Sequence, residues 1–156
     1  MKIDVQLVRE ALRRFNRRVG VLKSDPYGIG LSLSQGSALV DIGRFEALKP
    51  NDLVRLLRLD KSSVSRMIDV LVEKKLVVIS HDPSDGRSKN LTLTSSGKRA
   101  VKVINEALDR SVSEVFEHLD AKDQKTLVIA FKKLAGAVDQ ADKDPIGSSI
   151  HSEYLV

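Results

Sequence analysis

Between residues 50 and 97 the spacing of apolar side chains changes from the period of a helix to the period of a strand. Pro50 suits the first turn of a short helix, because proline lacks an N–H that this turn leaves unpaired. A second helix follows, with Asp60 or Ser62 as its N-terminal cap, and it ends at Lys74-Lys75, where cations suit the helix dipole. The apolar faces are Leu53, Val54, Leu56 and Leu57 in the first helix, and Val64, Met67, Ile68, Leu71 and Val72 in the second. The pattern predicts a helix-turn-helix.

A β-hairpin with a long basic tip is predicted directly after the second helix. The β-branched run at residues 76–80 and the alternating run at 91–94 favour two strands. Turn-forming residues lie between them, at 82–87. An ordinary solvated turn is the alternative interpretation of this tip.

Two helices are predicted before the helix-turn-helix. The first has an apolar stripe at helical spacing and stops before a turn cluster at 24–28. The second begins near Ser34 and reaches Phe45, although Gly36 and Gly43 each cost about 1 kcal/mol of helix propensity relative to alanine. The stripe of the first helix is Val5, Val8, Leu12, Phe15, Val19 and Leu22.

Two further helices are predicted after the hairpin. Thr94 or Ser95 caps a long helix whose apolar stripe continues to Leu119, and a last helix starts after Asp120. We expect residues 140–156, which include a proline, a glycine and several serines, to form a disordered tail. The predicted fold is mainly α (α+β), with one domain over residues 1–139.

The basic charge of the chain is concentrated in its first two thirds. Residues 1–100 contain 19 Lys/Arg and 11 Asp/Glu, a net of +8, whereas residues 101–156 contain 7 and 10, a net of −3. This asymmetry suits a module that binds a polyanion joined to a part with another role, such as dimerisation. Ordinary solvated faces would produce a similar asymmetry, so that interpretation stays open.

The composition argues against an enzyme and against a resident metal or cofactor. The absence of cysteine excludes thiol catalysis, disulfides and cysteine-ligated metals. Three histidines are scattered, and no catalytic motif accompanies them. His118 lies near Glu114 and Glu117, a spacing that a metal could use, but a surface or interface histidine is favoured. Without an apolar signal or membrane span, a cytoplasmic location is expected.

Polar and basic side chains cluster at the start of the second helix of the helix-turn-helix. Such a helix can enter the major groove of DNA while the hairpin reaches the phosphates or the minor groove. Arg66 is the candidate for a base contact, because its planar fork matches guanine. Alternatively, the segment is only a helix cap, and Arg66 pairs with Asp69 on the surface. The candidate DNA-binding residues here are Lys61, Ser62, Ser63, Ser65 and Arg66.

Together these motifs resemble the multiple-antibiotic-resistance regulator (MarR) family of winged-helix repressors. The resemblance covers residues 53–97: the helix opening at 59–66, the exit into the wing at 71–77, the wing signature at 82–87 and the run at 91–97. It implies that Arg87 enters the minor groove and that Asp85 or Asp82 orients a basic neighbour. With Lys89, these residues place a basic wing beside the helix pair. The resemblance also implies that the terminal helices, at 1–24 and 98–139, form a homodimer, with the helix-turn-helix and wing at about 50–97.

Several features depart from the family pattern. The sequence Asp52-Leu53-Val54 replaces a more alanine-rich helix start, and Gly36 and Gly43 leave the neighbouring effector pocket open to question. The N-terminal segment 13–20 is similar to a branch in which the regulator precedes an acetyltransferase domain. No such domain fits after Asp139, so no acetyltransferase activity is expected.

The sequence therefore predicts a sequence-specific regulator of transcription that binds double-stranded DNA. The expected form is a ligand-responsive repressor, a homodimer on a palindromic operator, with a small-molecule effector and no membrane partner. The alternative is a winged-helix module that binds proteins, or DNA without regard to sequence. Steep salt dependence without base preference would identify the DNA-binding form of that alternative.

Overall fold

The computed structural model describes residues 4–81 and 89–141 and contains one small sheet among helices. Its elements are α1 (Val5–Arg18), α2 (Leu33–Arg44), α3 (Pro50–Leu57), α4 (Lys61–Glu73), β1 (Val77–His81), β2 (Lys89–Leu93), α5 (Ser95–Phe116) and α6 (Ala121–Ala141). The mainly helical α+β class and the order helix, helix, hairpin, helix are confirmed. The hairpin tip at 82–88, with Asp82, Asp85 and Arg87, and residues 142–156 of the predicted tail lie outside the described residues.

Local signals set the ends of the helix-turn-helix. Pro50 is the first residue of α3, and the Asp60 side chain caps α4 by accepting a hydrogen bond from the backbone N–H of Ser63. Between the two predicted caps, Asp60 and Ser62, the structure therefore selects Asp60. Lys74 follows the last residue of α4, as the predicted end requires.

The two strands pair antiparallel with Val77 opposite Leu93 and His81 opposite Lys89. Leu48 adds a single bridge beside them, because its N–H and C=O both bond to the backbone of Leu91. The strands begin and end one or two residues from the predicted runs, since cross-strand bonding rather than β-propensity sets their ends.

The core forms where α2 meets α3, α4, β2 and α5. Leu39 and Ile42 of α2 are fully buried against Leu53, Leu71 and other apolar side chains. Gly36 costs helix propensity in α2, and the packing of Tyr27 explains why a glycine is present there. A β-carbon there would lie 2.2 Å from Cε2 of the buried Tyr27 ring, so only glycine lets that ring lie on the helix.

Four predicted boundaries differ from the structure. Helix α1 ends at Arg18, so Val19 and Leu22 of its predicted stripe lie in the turn that follows it. Phe45 follows α2 as an extended residue instead of continuing the helix. The long helix after the wing ends at Phe116, and the chain turns before α6 begins at Ala121, so Leu119 is not on the helix that was predicted to include it. Helix α6 continues to Ala141, and residues 140 and 141 are therefore helical instead of part of a tail.

The outer helices leave much apolar surface uncovered. No residue of α1 is buried in the single chain, although Arg18 of α1 donates a hydrogen bond of 2.7 Å to Glu114 of α5. In α6, Ile129, Phe131 and Leu134 are all exposed. Among the helices of the described ranges, none combines the length and apolarity required to cross a membrane.

Candidate nucleic-acid interface

Helix α4 separates its apolar and polar residues between two sides. Val64, Met67 and Ile68 point into the core, whereas Ser65 and Arg66 are exposed. Lys61 and Ser62 are also exposed, and Ser63 is half-buried. The burial of one side fixes the helix in place, and the predicted contact residues therefore extend from a rigid element, as a groove-reading helix requires.

The carboxylate of Asp60 accepts three hydrogen bonds at the start of α4. Its Oδ1 accepts from the Ser62 hydroxyl at 2.5 Å and from the Ser63 backbone N–H at 2.8 Å. Its Oδ2 accepts from the Ser63 hydroxyl at 2.7 Å. The Ser62 hydroxyl, the Ser63 hydroxyl and the Ser63 amide hold the pKa of Asp60 well below its usual range. The carboxylate is therefore ionised at any pH at which the protein would normally be studied.

Arg66 is oriented by Ser63. Its Nη2 donates to the Ser63 hydroxyl oxygen at 3.2 Å, one helical turn back. The predicted alternative, an ion pair with Asp69, does not occur within the described part of the chain. The capping half of that alternative is confirmed by Asp60, but the same serine that serves the cap also positions the arginine. One N–H of the guanidinium is used in this way, which leaves further donors for a ligand.

The structure brings three predicted residues to one cleft between the helix-turn-helix and the wing. Lys61 and Ser65 of α4 face Lys89 of β2 across a cavity of about 260 Å³. Asn51, in the first turn of α3, lines the same cleft and was missed by the sequence analysis. The sequence signal that could have identified Asn51 is a polar residue at the start of the helix that precedes α4. The wing residues Asp85 and Arg87 fall outside the described residues.

The described residues offer no metal site. In 4–81 and 89–141, no group of three or more histidine, aspartate and glutamate side chains is arranged to hold a metal ion. His118 is exposed beyond the end of α5. The arrangement at α4 supplies hydrogen-bond donors, acceptors and positive charge, which suits binding of a charged, patterned surface.

Comparisons with known proteins assign this arrangement to a family. The MarR family model matches residues 29–88, which extend from the turn before α2 to the end of the hairpin tip. The HTH-type transcriptional regulator YxaD of Bacillus subtilis (strain 168) is 32% identical over 99 residues, which make up 63% of this chain and 69% of YxaD. The chain belongs to the MarR family of transcriptional regulators.

Two solved structures share the fold over about four fifths of this chain. A probable transcriptional regulator from Pseudomonas aeruginosa is 27% identical, with a TM-score of 0.66 over 81% of this chain and 96% of its own. The Bordetella bronchiseptica protein BpsR, whose DNA binding is regulated by 6-hydroxynicotinic acid, is 25% identical, with a TM-score of 0.65 over 83% of this chain and 98% of its own. The relatives are regulators of transcription rather than enzymes. The proposed link to the acetyltransferase-fusion branch stays a prediction.

Proposed function

We propose that this MarR-family protein is a repressor that binds double-stranded DNA sequence-specifically as a homodimer on an inverted repeat. The observation that carries the proposal is the exposed, polar side of α4, held rigid by its buried side and continued by Lys89 of the wing. A helix fixed in this way presents the same donors and acceptors to every DNA it meets, and so it can discriminate between base pairs.

The uncovered helices at the two ends of the chain support a dimer. Apolar side chains of α1, α5 and α6 line a cavity of about 220 Å³, and Phe15, Phe116 and Phe131 are among them. Helix α6 also exposes Ile129, Leu134 and Val138, and its Phe131 lines the cavity while being partly exposed. A contiguous apolar surface of this kind is costly in water, and two-fold pairing of identical chains is the commonest way to cover it.

We infer that a small molecule regulates DNA binding from a second cavity. This cavity, of about 460 Å³, lies where α2, β2 and α5 meet. Its lining mixes the apolar side chains of Phe45, Leu93 and Val101 with Glu46, with Arg44, which pairs with Asp41, and with the exposed Lys98. Apolar side chains beside the ammonium group of Lys98 suit a small organic acid, and BpsR is a relative whose DNA binding such an acid regulates.

A site-selection experiment tests the DNA-binding proposal. Fragments bound from randomised duplex DNA at near-physiological salt would be sequenced for the intact protein, for Arg66→Ala and for Arg87→Ala. Arg14→Ala, which removes one exposed arginine of α1, is the matched control. We expect an inverted repeat with the intact protein and the control, and weaker enrichment with both other variants.

Two outcomes would contradict the proposal. If bound fragments share no sequence and binding falls steeply as salt rises, the protein is a non-specific DNA-binding module. If no DNA is retained at any salt concentration, the winged helix serves protein interaction instead. Repression itself is tested by transcription from a promoter that carries the selected repeat, which should fall when the protein is added.

The effector proposal has its own test. The affinity for the selected repeat would be measured with a panel of small aromatic and aliphatic carboxylic acids, for the intact protein and for Lys98→Met. A ligand shifts affinity only through unequal binding to the DNA-bound and free forms. We expect at least one acid to change the affinity of the intact protein and to act more weakly on the variant. If no acid has an effect, the effector proposal fails without affecting DNA binding.

A further inference from the structure

The hydrogen bonds at the start of α4 run in one direction, from Arg66 through Ser63 to Asp60. The Arg66 Nη2 donates to the Ser63 oxygen, and the Ser63 hydroxyl donates to Oδ2 of Asp60. An ionised carboxylate can only accept, and a guanidinium can only donate. The orientation of the serine hydroxyl between them is therefore fixed by chemistry, and the serine links the position of the arginine to the carboxylate.

Ser62 is fixed by the same carboxylate in a different way. Its hydroxyl donates to Oδ1 of Asp60 at 2.5 Å, and its side chain is exposed. A serine hydroxyl has one hydrogen to donate and two lone pairs that accept. Since the hydrogen is already used, Ser62 presents only acceptor character to a ligand that approaches α4.

These hydrogen-bond directions disfavour a phosphate at the start of α4. Phosphate oxygens accept hydrogen bonds, so neither Ser62 nor Ser63 can donate to one while bonded to Asp60, and the carboxylate itself repels it. The backbone N–H of Ser63, one of the amides at the start of α4, is also occupied by Asp60. A helix start commonly favours a phosphate, but the hydrogen bonds of Ser62 and Ser63 to Asp60 disfavour one here.

The chemistry of the major groove supplies a different partner for Ser62. The only hydrogen-bond donors that base pairs present there are the amino groups of adenine and cytosine. Guanine presents two acceptors, which match the remaining donors of the Arg66 fork. The start of α4 thus presents an acceptor and a bidentate donor that are both oriented by one carboxylate.

We propose that Asp60 is a positioning residue for base recognition, which keeps phosphate away from the start of α4, makes Ser62 an acceptor for an adenine or cytosine amino group, and orients Arg66 towards guanine. The inference rests on the proposed DNA-binding function and specifies which part of each half-site α4 reads. A residue that only capped the helix would stabilise α4 without affecting base preference.

Substitutions that preserve the cap separate these two roles. Asparagine and serine cap helices about as well as aspartate, so Asp60→Asn and Asp60→Ser keep α4 while removing the charge. Ser62→Ala removes one acceptor from an exposed position. Glu73→Gln removes one negative charge from the other end of α4 and is the matched control. Thermal unfolding of each variant would verify that the fold is retained.

The measurement is site selection on randomised DNA, followed by affinities for the selected repeat and for a scrambled duplex over a range of salt concentrations. We expect both Asp60 variants to bind the scrambled duplex about fivefold more tightly, because a charge that repels phosphate has been removed. Their discrimination in favour of the selected repeat should fall about tenfold, the usual size of one lost base contact. Ser62→Ala should lose about fivefold in preference at one adenine or cytosine, with unchanged binding to the scrambled duplex.

The outcomes distinguish this proposal from the function on which it rests. If the intact protein selects no sequence, both are overturned. If it selects a repeat that requires Arg66, but Asp60→Ser and Ser62→Ala keep the base preferences and salt dependence of Glu73→Gln, then only the role of Asp60 is wrong. Should Asp60→Asn fail to fold, Asp60→Ser still decides the matter, since it also removes the charge and keeps a capping side chain.

Discussion

Gly97 lies where α5 comes closest to the chain entering the wing. A β-carbon at this position would lie 2.1 Å from the carbonyl oxygen of Leu76, an atom that cannot rotate away as a side chain could. Gly97→Ala should therefore destabilise the protein by about 1–3 kcal/mol or more, the usual cost of overpacking. The free energy of unfolding in urea, measured at fixed protein concentration, tests this expectation.

Gly136 provides the matched control for Gly97. It also lies inside a helix, α6, but an added β-carbon would meet no atom within 4 Å. Because alanine has the higher helix propensity, Gly136→Ala should be neutral or stabilise by up to about 1 kcal/mol. Equal effects at the two glycines would show that the close contact with Leu76 does not decide the stability of this region.

Asp25 stabilises the loop before α2 in a pH-dependent way. Its carboxylate accepts hydrogen bonds from the backbone N–H of Gly30 at 2.8 Å and of Ile29 at 3.1 Å. The Gly30 amide, followed by other loop amides, holds the pKa of Asp25 below its usual range. Because the folded-state pKa is lowered, the stabilisation is present above the pKa of the unfolded chain and is lost as the pH falls through the folded-state value.

The corresponding prediction concerns Asp25→Asn. At pH 7 the variant should unfold at a lower temperature than the intact protein. The difference should shrink as the pH falls below about 4, the ordinary pKa of aspartate in an unfolded chain, because the unfolded protein then binds a proton that the folded protein resists. Asp69→Asn makes the same change at an exposed position of α4 and controls for the loss of one negative charge. A difference between Asp25→Asn and the intact protein that is constant from pH 7 to pH 3 would contradict the role of the charge.

At the scale of single residues, the sequence indicated which side chains are exposed but not how they are linked. Arg66 was predicted as a base contact from its type and position, and the structure exposes it on α4. Its bond to Ser63, and the bonds of Ser63 to Asp60, depend on rotamers that residue spacing does not determine. Asn51 was missed because its place in the cleft depends on how α3 packs beside α4 and β2.

At the scale of elements, α3 and α4 end in the same way. After α4, the N–H of Leu76 bonds to the carbonyl of Leu71 and the N–H of Lys75 bonds to that of Val72, with Lys75 at a φ of 57°. This is a Schellman ending, in which glycine usually occupies the left-handed position. The same pair of bonds closes α3, where Arg58 has a φ of 52°.

Lys75→Gly should therefore stabilise the end of α4. Relief of the left-handed strain on a residue with a β-carbon is worth about 1 kcal/mol. Lys74→Gly removes the same charge one residue earlier, where φ is −72°, and should stabilise nothing. Urea unfolding of the two variants makes the comparison. A Lys75→Gly protein no more stable than Lys74→Gly would show that the left-handed conformation is not a significant cost here.

The elements that were predicted correctly are those with strong local signals. Proline at the start of α3 and aspartate at the start of α4 set boundaries through bonds between near neighbours. The ends of α1, α2 and α5 were misplaced because apolar spacing continued past them, at Leu22, Phe45 and Leu119, while the chain turned to meet other elements. Tertiary packing decides such ends, and a periodicity along one segment does not reveal it.

At the scale of the whole molecule, the exposed apolar side of α6 predicts the state of assembly. Leu134 is 50% exposed in the single chain. A glutamate there should change the stability of a monomer little, since surface substitutions usually change it by less than about 0.5 kcal/mol. In a dimer, the same glutamate would place a charge inside an apolar interface, which is costly. Leu134→Glu should therefore be folded and monomeric in sedimentation equilibrium. Val78→Glu, at a β1 residue with 48% exposure, should remain a dimer.

The Leu134→Glu variant also tests whether the dimer sets the geometry of the operator. A two-fold dimer places its reading helices about one turn of DNA apart, so half-sites must lie on one face of the duplex. Insertion of about half a turn, roughly 5 base pairs, between the half-sites rotates one of them to the opposite face. The intact protein should then bind no better than it binds a single half-site, while monomeric Leu134→Glu should bind both spacings equally. An intact protein indifferent to the insertion would mean that each chain reads DNA independently, even if the protein sediments as a dimer.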